Sequence, residues 1–424
     1  MNVSEIKKII SSDKLCPQFE MLYGKENNAK ERYLKACDSF TGLFGEGGTV
    51  HLFSAPGRTE ISGNHTDHQH GCVLAGGVDL DVIAVARKTD GNIIRIKSEG
   101  HNEDKVDIND LKADEKNFGR SSSLIKGVCA AFKNNGYNIG GFEAYTTSNV
   151  LKGSGLSSSA AFEVLVSNIL NGLYNGNKVD AVSIAKYSQF AEREFFGKPC
   201  GLLDQMASSV GGFTYADFND PKNPVIEKIE LDLSKSDHTL CVIDTGGNHA
   251  DLTQDYADIT IECKKISNAL GVDFLRDANE EKFYSDMADL RKKYGDRAVL
   301  RGIHFFNENK RVLKQREALK NADFKSFFNL VNESGESSYK YLQNLYSTSN
   351  VSEQGLSLAI ALTKQFLNGK GACRVHGGGF AGTIQCYIPN EMLSDYKEMI
   401  ESVFSKGSFV ALNIRPVGGY ELKL

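Results

Sequence analysis

A run of ten residues, nearly all small, constrains the fold of this 424-residue chain more than any other feature. It reads KGSGLSSSAA at positions 152–161 and follows a strand-like segment at 142–147. Because glycine and serine interrupt regular structure, the sequence predicts a strand, a tight loop and an amphipathic helix in succession. The apolar face of that helix comprises Phe162, Leu165, Val166, Ile169, Leu170 and Leu173.

A loop of this kind exposes backbone N–H groups beside the positive end of a helix, and both favour a polyanion such as triphosphate. The hydroxyls of Ser157, Ser158 and Ser159 can cap the helix or bind a hard cation. A capped helix after a flexible turn is the purely structural interpretation of the same residues. The chain has neither a Walker A motif nor the HRD and DFG motifs of protein kinases.

The charge balance and the apolar pattern exclude several classes of protein. The chain has 54 acidic and 49 basic side chains, a formal net charge of −5 and no basic stripe, which argues against a nucleic-acid or anionic-membrane partner. No apolar run reaches the ~18 residues of a membrane span, and the N-terminal segment lacks the apolar core of a secretory signal. Nine scattered cysteines without a CxxC pair predict reduced thiols and a cytoplasmic location.

Two neighbouring apolar segments predict a β-hairpin. They occupy residues 82–86 and 93–96 and flank Asp90-Gly91, a favoured tight-turn pair. Further along, the pattern is mostly helical from 250 to 345.

An exposed connector with two prolines, at 219–224, predicts a boundary between two lobes. The N-terminal lobe would span 1–220 and the C-terminal lobe 221–424. The last strand pattern, at 410–424, is expected to pack back against the first lobe.

Polar side chains crowd the segment APGRTEISGNHTDHQHG at 55–71. Such density between glycines indicates a site that hydrogen-bonds a polyol or coordinates a metal. The metal alternative rests on the close spacing of His65, Asp67, His68 and His70. Their order does not match the helical HExxH spacing, so the polyol interpretation is favoured.

The segment RVHGGGFAGT at 374–383 matches the GxGxxG pattern literally. A strand pattern continues after it, at 383–388, where a dinucleotide-binding motif needs a helix. We therefore expect a tight glycine hairpin that lets one backbone approach another loop or a ligand. His376 is expected to be a packed residue of that turn.

Asp204 lies among apolar side chains in the segment GKPCGLLDQMA at 197–207. A buried carboxylate there needs a partner, and an arginine is the usual one. Alternatively, Asp204 caps a short helix at 205–210, and both interpretations can hold.

Together these segments resemble the galactokinase branch of the GHMP small-molecule kinases. The resemblance is carried by SAPGRTEISGNHTDH at 54–68, GLSSSA at 155–160, CGLLDQ at 200–205 and GGGFAG at 377–382. It implies an α+β fold of two lobes: a mixed-sheet N-terminal lobe, and a helix-rich C-terminal lobe with an antiparallel sheet. It also implies a kinase that uses ATP and Mg²⁺ to phosphorylate the anomeric hydroxyl of galactose.

The resemblance also implies residue roles, position by position. Asp204 matches the catalytic aspartate near the anomeric hydroxyl, and Arg58 matches the arginine that pairs with it. Ser159 and Glu192 match the hydroxyl and the carboxylate on the magnesium side. The implied sugar-binding residues are Asn64, His65, Asp67, Gly201 and Tyr256. The implied ATP-binding loop comprises Gly153, Ser154, Gly155, Leu156, Ser157, Ser158, Ser159 and Ala160.

Among the departures from the family pattern, Asn64 bears most on the choice of sugar. Asn64 stands where most galactokinases have a glutamate that resembles a ligand for the C6 hydroxyl, and Glu60 stands where an asparagine is usual. A neutral asparagine can donate to a C6 carboxylate, which a glutamate would repel. Plant galacturonate kinases also lack that glutamate, and the DHQ run at 67–69 resembles theirs. Galacturonate is therefore the alternative substrate, ahead of N-acetylgalactosamine and arabinose.

Two other classes of protein stay open. A catalytically silent, sugar-sensing relative would not need Asp204, Arg58, Ser159 and Glu192 together, so their presence favours an enzyme. A metal-dependent hydrolase would need a transition metal on the histidine-rich segment. The expected partners are a small-molecule sugar and ATP, without nucleic acid or membrane. The sequence favours a monomer without fixing the oligomeric state.

Overall fold

The computed structural model describes residues 1–25, 27–150, 155–247 and 252–424. The strands in these ranges are β1 (Val50–Ser62), β2 (Cys72–Lys88), β3 (Ile93–Ser98), β4 (Glu103–Asp107), β5 (Phe142–Ser148), β6 (Phe213–Asp217), β7 (Val225–Ile229), β8 (His238–Asp244), β9 (Ala372–His376), β10 (Thr383–Pro389), β11 (Phe409–Leu412) and β12 (Tyr420–Glu421). The helices are α1 (Val3–Ser11), α2 (Cys16–Tyr23), α3 (Ala29–Phe44), α4 (Ser121–Asn134), α5 (Ser158–Asn175), α6 (Ala181–Phe190), α7 (Leu203–Val210), α8 (Thr253–Ala269), α9 (Glu280–Ser285), α10 (Met287–Tyr294), α11 (Asp296–Lys320), α12 (Phe324–Ser337), α13 (Gly355–Leu367) and α14 (Leu393–Phe404).

The strands form two sheets. The first has the order β12-β1-β2-β5-β3-β4, with β6 paired to both β2 and β7. It is mixed, because β3 and β5 run parallel whereas its other neighbours are antiparallel. The second sheet has the order β11-β8-β10-β9 and is antiparallel throughout. The α+β fold with one mixed and one antiparallel sheet is confirmed.

The predicted hairpin between β2 and β3 is wrong, because β5 lies between them. Strand β5 pairs antiparallel with β2 and parallel with β3. The turn between β2 and β3 instead receives Gly141, whose N–H donates to the Gly91 carbonyl oxygen at 3.0 Å and whose carbonyl accepts from Thr89 at 2.9 Å. A Cβ on Gly141 would lie 2.4 Å from the Gly91 oxygen, so the insertion requires glycine there. Local turn chemistry could not report a strand that arrives from elsewhere in the chain.

Sheet membership does not follow the predicted boundary at residue 220. Strands β7 and β12 lie in the C-terminal half of the chain but belong to the first sheet. The returning tail is anchored by the fully buried Arg415, whose Nη1 donates to Ser54 Oγ at 2.6 Å. The division into 1–220 and 221–424 therefore stays a prediction, with two segments that cross it.

The two lobes meet along the second half of β1. Two side chains of the second sheet reach across to it: Gln385 Nε2 donates to Thr59 Oγ1 at 2.6 Å, and Arg374 Nη1 donates to the Ile61 carbonyl at 2.6 Å. This junction fixes the polar segment of β1 between the lobes. Among the helices in the described ranges, none combines the length and the apolar character that a membrane crossing requires.

Candidate active site

A pocket of about 290 Å³ opens where the two lobes meet. Its lining comes from residues of the segments 60–68 and 198–204 and from Gly378, in the turn between β9 and β10. The fold therefore brings the polar segment after β1 and the glycine turn before α7 to one cavity. The sequence-predicted residues that line it are Asn64, His65, Asp67, Gly201 and Asp204.

Arg58 and Asp204 form an ion pair at this pocket. Arg58 Nε and Nη2 each lie 2.6 Å from Asp204 Oδ1. The register of β1 shifts between Pro56 and Arg58, and the Arg58 backbone N–H donates to the Leu156 carbonyl at 2.9 Å. Arg58 Nη1 also donates to the Gly155 carbonyl. The ion pair and the described end of the glycine-serine loop are therefore fixed to each other.

Asp204 lies in the first turn of α7, whose N-cap is Leu202. The interpretation of Asp204 as the helix cap is therefore wrong, because its oxygens face Arg58 and the Ser157 hydroxyl instead. Burial alone would raise the pKa of Asp204, but Arg58 and the Ser157 hydrogen bond outweigh it and hold that pKa below its usual value. At neutral pH the carboxylate is therefore ionised and can only accept hydrogen bonds.

The loop serines do not serve as side-chain caps of α5. Ser157 occupies the N-cap with a left-handed φ of 59° and makes no capping bond, and its hydroxyl donates to Asp204. Ser159 Oγ donates to Glu192 Oε1 at 3.2 Å. Two hydroxyls of one short segment therefore donate to two different carboxylates.

The other predicted loop residues differ in their surroundings. Leu156 and Ala160 are fully buried and anchor the segment in the core. Ser158 is half-buried at the first position of α5. Gly153 and Ser154 lie outside the described residues, so their predicted role in ATP binding stays a prediction.

Glu192 lies on a π-helical turn, Ala191–Phe195, that continues α6. Such turns are rare and are frequent at functional sites. Its Oε1 also accepts from Lys198 Nζ at 2.7 Å, and its Oε2 accepts from Gln205 Nε2 at 2.6 Å. The Ser159 hydroxyl and the Glu192 carboxylate are hard oxygen donors of the type that Mg²⁺ prefers.

Glu163, on α5, is a further and fully buried carboxylate beside this group. Its Oε2 accepts from the same Gln205 amide at 3.1 Å, while its Oε1 has no hydrogen-bond partner among the described residues. Burial and the neighbouring Glu192 raise the pKa of Glu163 well above its usual value. This carboxyl therefore retains its proton to much higher pH than an exposed glutamate.

The histidine-rich segment does not gather into a metal site. His65 Nε2 lies 2.9 Å from the Gly378 carbonyl oxygen, whereas His70 stacks on Phe274 with ring centroids 3.5 Å apart. Within the part of the chain that the structure describes, no three His, Cys, Asp or Glu side chains come together as a metal-binding group. The hydrolase alternative therefore has no assembled ligand set to rest on.

His65, Asp67 and Gly201 shape one side of the pocket. Burial and the neighbouring His68 lower the pKa of His65 to about 4, so its ring is neutral at pH 7. Because the Gly378 carbonyl can only accept, His65 Nε2 carries the proton and Nδ1 is an acceptor. A Cβ on Gly201 would lie 2.2 Å from Asp67 Oδ2, so glycine is what allows that close approach.

Asn64 is fully buried, and its side-chain amide is held by the protein. Its Nδ2 donates to Glu60 Oε1 at 2.9 Å and to the Gly377 carbonyl at 2.7 Å, while its Oδ1 accepts from Asn344 Nδ2 at 2.7 Å. The Asn64 backbone carbonyl lies 2.9 Å from His304 Nε2. The residue therefore joins β1 to the C-terminal lobe, and its contact with a sugar stays a prediction.

Tyr256, on α8, packs against the glycine turn between β9 and β10. Its hydroxyl donates to the Gly379 carbonyl at 2.9 Å, and its ring meets that of Phe380 edge-on with centroids 5.3 Å apart. A Cβ on Gly378 would lie 2.6 Å from Tyr256 Cε1. The structure thus places Tyr256 behind the pocket lining, and its sugar contact also stays a prediction.

Four polar residues of the site were given no role from the sequence: Glu60, which was noted only as a departure from the family pattern, Lys198, Gln205 and Arg374. Arg374 is fully buried, and its Nη2 lies 2.9 Å from Glu60 Oε1. All four lie within or beside the motif segments, so position along the chain could have marked them as candidates. Their partners could not be found that way, because Glu60 and Arg374 are 314 residues apart.

Known proteins share this architecture. Residues 123–212 match the family described as GHMP kinases N terminal domain, and residues 38–88 match the galactokinase galactose-binding signature. The crystal structure of Lactococcus lactis galactokinase complexed with galactose superposes with a TM-score of 0.76 at 23% identity, over 91% of this chain and 98% of that one. Methanococcus jannaschii mevalonate kinase superposes with a TM-score of 0.61 at 14% identity, over 87% and 99%. The fold is that of the GHMP small-molecule kinases.

Relatives in sequence narrow this class. A galactokinase of Thermotoga petrophila is 30% identical over 352 residues, which are 83% of this chain and 93% of the relative. A galactokinase of Clostridium tetani is 29% identical over 389 residues, or 90% and 92% of the two chains. The chain belongs to the galactokinase family.

Proposed function

We propose that this protein transfers the γ-phosphoryl group of ATP to the anomeric hydroxyl of galactose, giving galactose 1-phosphate and ADP. The observation that carries the proposal is the Arg58–Asp204 ion pair, because it lies where the polar pocket meets the glycine-serine loop. The galactokinase relatives and the galactose-binding signature support galactose as the sugar. They do not favour galacturonate.

In this proposal the sugar occupies the pocket and the triphosphate lies at the N-terminal end of α5. The hydroxyl oxygen attacks the γ-phosphorus, the bond to the ADP oxygen breaks, and the hydroxyl proton passes to the Asp204 carboxylate. Because the pKa of Asp204 is held low, it orients the hydroxyl first and accepts the proton late in the transfer. Arg58 balances the negative charge that develops on the transferred group.

We assign Mg²⁺, the cation that accompanies ATP, to Ser159 and Glu192. The Ser159 Oγ and Glu192 Oε1 atoms are 3.2 Å apart. Both atoms are hard oxygen donors of the type that Mg²⁺ prefers, so this pair would hold the cation. When bound, the ion neutralises charge on the triphosphate. Lys198, which contacts the same carboxylate oxygen, would have to share it or turn toward a phosphate.

We further propose that the enzyme works as a monomer in the cytoplasm, where ATP is available. All nine cysteines lie in the described part of the chain and are free thiols, which suits a reducing compartment.

The test is ADP release by the purified protein with ATP, Mg²⁺ and each of five sugars: galactose, galacturonate, N-acetylgalactosamine, arabinose and glucose. We expect the highest kcat/KM with galactose, and a product whose phosphorus NMR signal is that of a sugar 1-phosphate. If galacturonate were the only sugar turned over, the substrate would be galacturonate and not galactose. Sugar binding without ADP release would move the protein to the class of silent sensors.

A further inference from the structure

Glu60 is a buried carboxylate whose two oxygens have different surroundings. Its Oε1 accepts hydrogen bonds from Arg374 Nη2 and from Asn64 Nδ2, both at 2.9 Å. Its Oε2 has no hydrogen-bond partner among the described residues, and Glu60 belongs to the lining of the 290 Å³ pocket. One oxygen is therefore fixed by the protein, and the other is left to accept a hydrogen bond from a ligand.

Two arginines near Glu60 oppose the rise in its pKa that burial causes, and each already contacts a carboxylate. Arg374 contacts Glu60 itself, and Arg58 contacts Asp204. Asp67 lines the same pocket, and the neighbouring His65 ring is neutral at pH 7. Arg374 is fully buried, with one guanidinium nitrogen on Glu60 Oε1 and another on the Ile61 carbonyl.

Two other basic residues line the pocket, and both already face carboxylates. Lys198 pairs with Glu192 at 2.7 Å, and His68 Nε2 lies 3.8 Å from Asp67 Oδ1. A ligand carboxylate that enters the pocket beside Glu60 therefore meets no unpaired cation among the described lining residues.

We infer that Glu60 selects the sugar: its Oε2 accepts a hydrogen bond from a sugar hydroxyl and repels a sugar carboxylate. The substrate class is then neutral aldoses, and uronic acids are rejected. This inference rests on the proposed function, because it assumes that the pocket holds the phosphoryl acceptor.

The inference assigns Asn64 a different task from the one expected from sequence. The Asn64 amide donates to Glu60 and to the Gly377 carbonyl. Asn64 therefore holds the Glu60 carboxylate in place and does not donate to a sugar carboxylate. The glutamate and asparagine of the family pattern have exchanged positions here, and in space they contact each other. The acidic character of the pocket is thereby kept at a new position.

The main experiment compares kcat/KM for galactose and galacturonate in the parent and in Glu60→Gln, at mildly alkaline pH. That pH matters because burial raises the pKa of Glu60, although Arg374 opposes the shift. We expect the value for galactose to fall about 10- to 100-fold, as for loss of a hydrogen bond to a charged group. The ratio of galacturonate to galactose should rise at least about tenfold. A fall by the same factor for both sugars would overturn the inference, because it would mean that Glu60 acts only through packing.

Three further variants serve as controls. Glu143→Gln also neutralises a carboxylate that is paired with an arginine, but outside the pocket, and should leave the ratio unchanged. The double variant Glu60→Asn, Asn64→Glu exchanges the two residues, so that one carboxylate and one amide still lie side by side. We expect it to turn over galactose faster than Asn64→Glu alone, which crowds two carboxylates together. A double variant no better than that single one would contradict the pairing.

The parent enzyme separates failure of this inference from failure of the proposed function. A parent that prefers galacturonate overturns the role of Glu60 but leaves a sugar kinase. A parent that releases no ADP with any sugar overturns the proposed function. In that case calorimetry gives the dissociation constants of galactose and galacturonate in the parent and in Glu60→Gln. If the ratio of the two constants is the same in both proteins, the inference is again overturned.

Discussion

Asp204 and Glu163 are two carboxylates close to the start of α5, and their pKa values are shifted in opposite directions. Asp204 has Arg58 on one oxygen and the Ser157 hydroxyl on the other, and its pKa is lowered. Glu163 accepts a hydrogen bond from the Gln205 amide and lies near the like charge of Glu192, and its pKa is raised. Burial opposes ionisation at both sites. The groups brought beside a carboxylate, rather than burial alone, therefore decide whether it carries charge.

The two sites are therefore suited to different tasks. An ionised Asp204 can orient a hydroxyl and receive its proton. A protonated Glu163 can share the Gln205 amide with Glu192 without adding a second negative charge. If this contrast is correct, changes at Asp204 should alter chemistry, and changes at Glu163 should alter the pH dependence of stability.

The largest expected effect is that of Asp204→Asn. The amide keeps the shape but can neither accept the proton nor balance Arg58, so we expect kcat to fall about 10³-fold or more. ATP binding, measured by calorimetry, should stay close to that of the parent. Asp220→Asn, on the exposed connector before β7, is the control and should keep full activity. Turnover comparable to the parent would contradict the role of Asp204.

The next largest effect tests whether Arg58 keeps Asp204 ionised. Arg58→Met removes the cation that lowers the pKa of Asp204, so that pKa should rise. The carboxylate would then be protonated at higher pH, and the acidic limb of the kcat/KM profile should move upward. We also expect a fall of about 100-fold at the optimum, from loss of charge stabilisation in the transition state. An acidic limb at the parental position would show that Arg58 does not set the ionisation of Asp204.

A smaller effect is expected on the sugar side of the pocket. In Gly201→Ala the new Cβ would lie 2.2 Å from Asp67 Oδ2, so the aspartate must move. We expect KM for the sugar to rise about 10-fold with KM for ATP nearly unchanged, because the pocket geometry shifts and the loop does not. Gly91→Ala is the matched control, since a Cβ there would be 4.0 Å from its nearest neighbour atom. Equal changes in both KM values would point to general misfolding.

The smallest effect on turnover is expected for Glu163→Gln, and its signature lies in stability. The pKa of Glu163 is raised on folding, so its contribution to stability is complete below its unfolded value near 4.5 and is lost as pH rises through the folded value. Denaturant titrations without Mg²⁺ should therefore show the variant gaining free energy of unfolding relative to the parent as pH increases. A difference that does not depend on pH would contradict the assigned protonation.

Some structure was predictable because its causes are local. The amphipathic helix predicted after the glycine-serine loop is α5, Ser158–Asn175, since a repeating apolar face is contained in the segment itself. The cap assigned to Asp204 and the hairpin at Asp90-Gly91 failed for one shared reason. Partners from elsewhere, Arg58 in the first case and β5 in the second, replaced the local interaction.

By itself the sequence determined the class of fold, the family and the kinds of chemical groups in the site, because motifs and periodicity are short-range patterns. Only the tertiary structure decided which group serves which partner. It fixed Oε1 of Glu60 through Arg374, 314 residues away, and made Glu60 part of the pocket lining. It also set the opposite pKa shifts of Asp204 and Glu163. The physical reason is that burial and electrostatic interactions depend on distance in space, which separation along the chain does not encode.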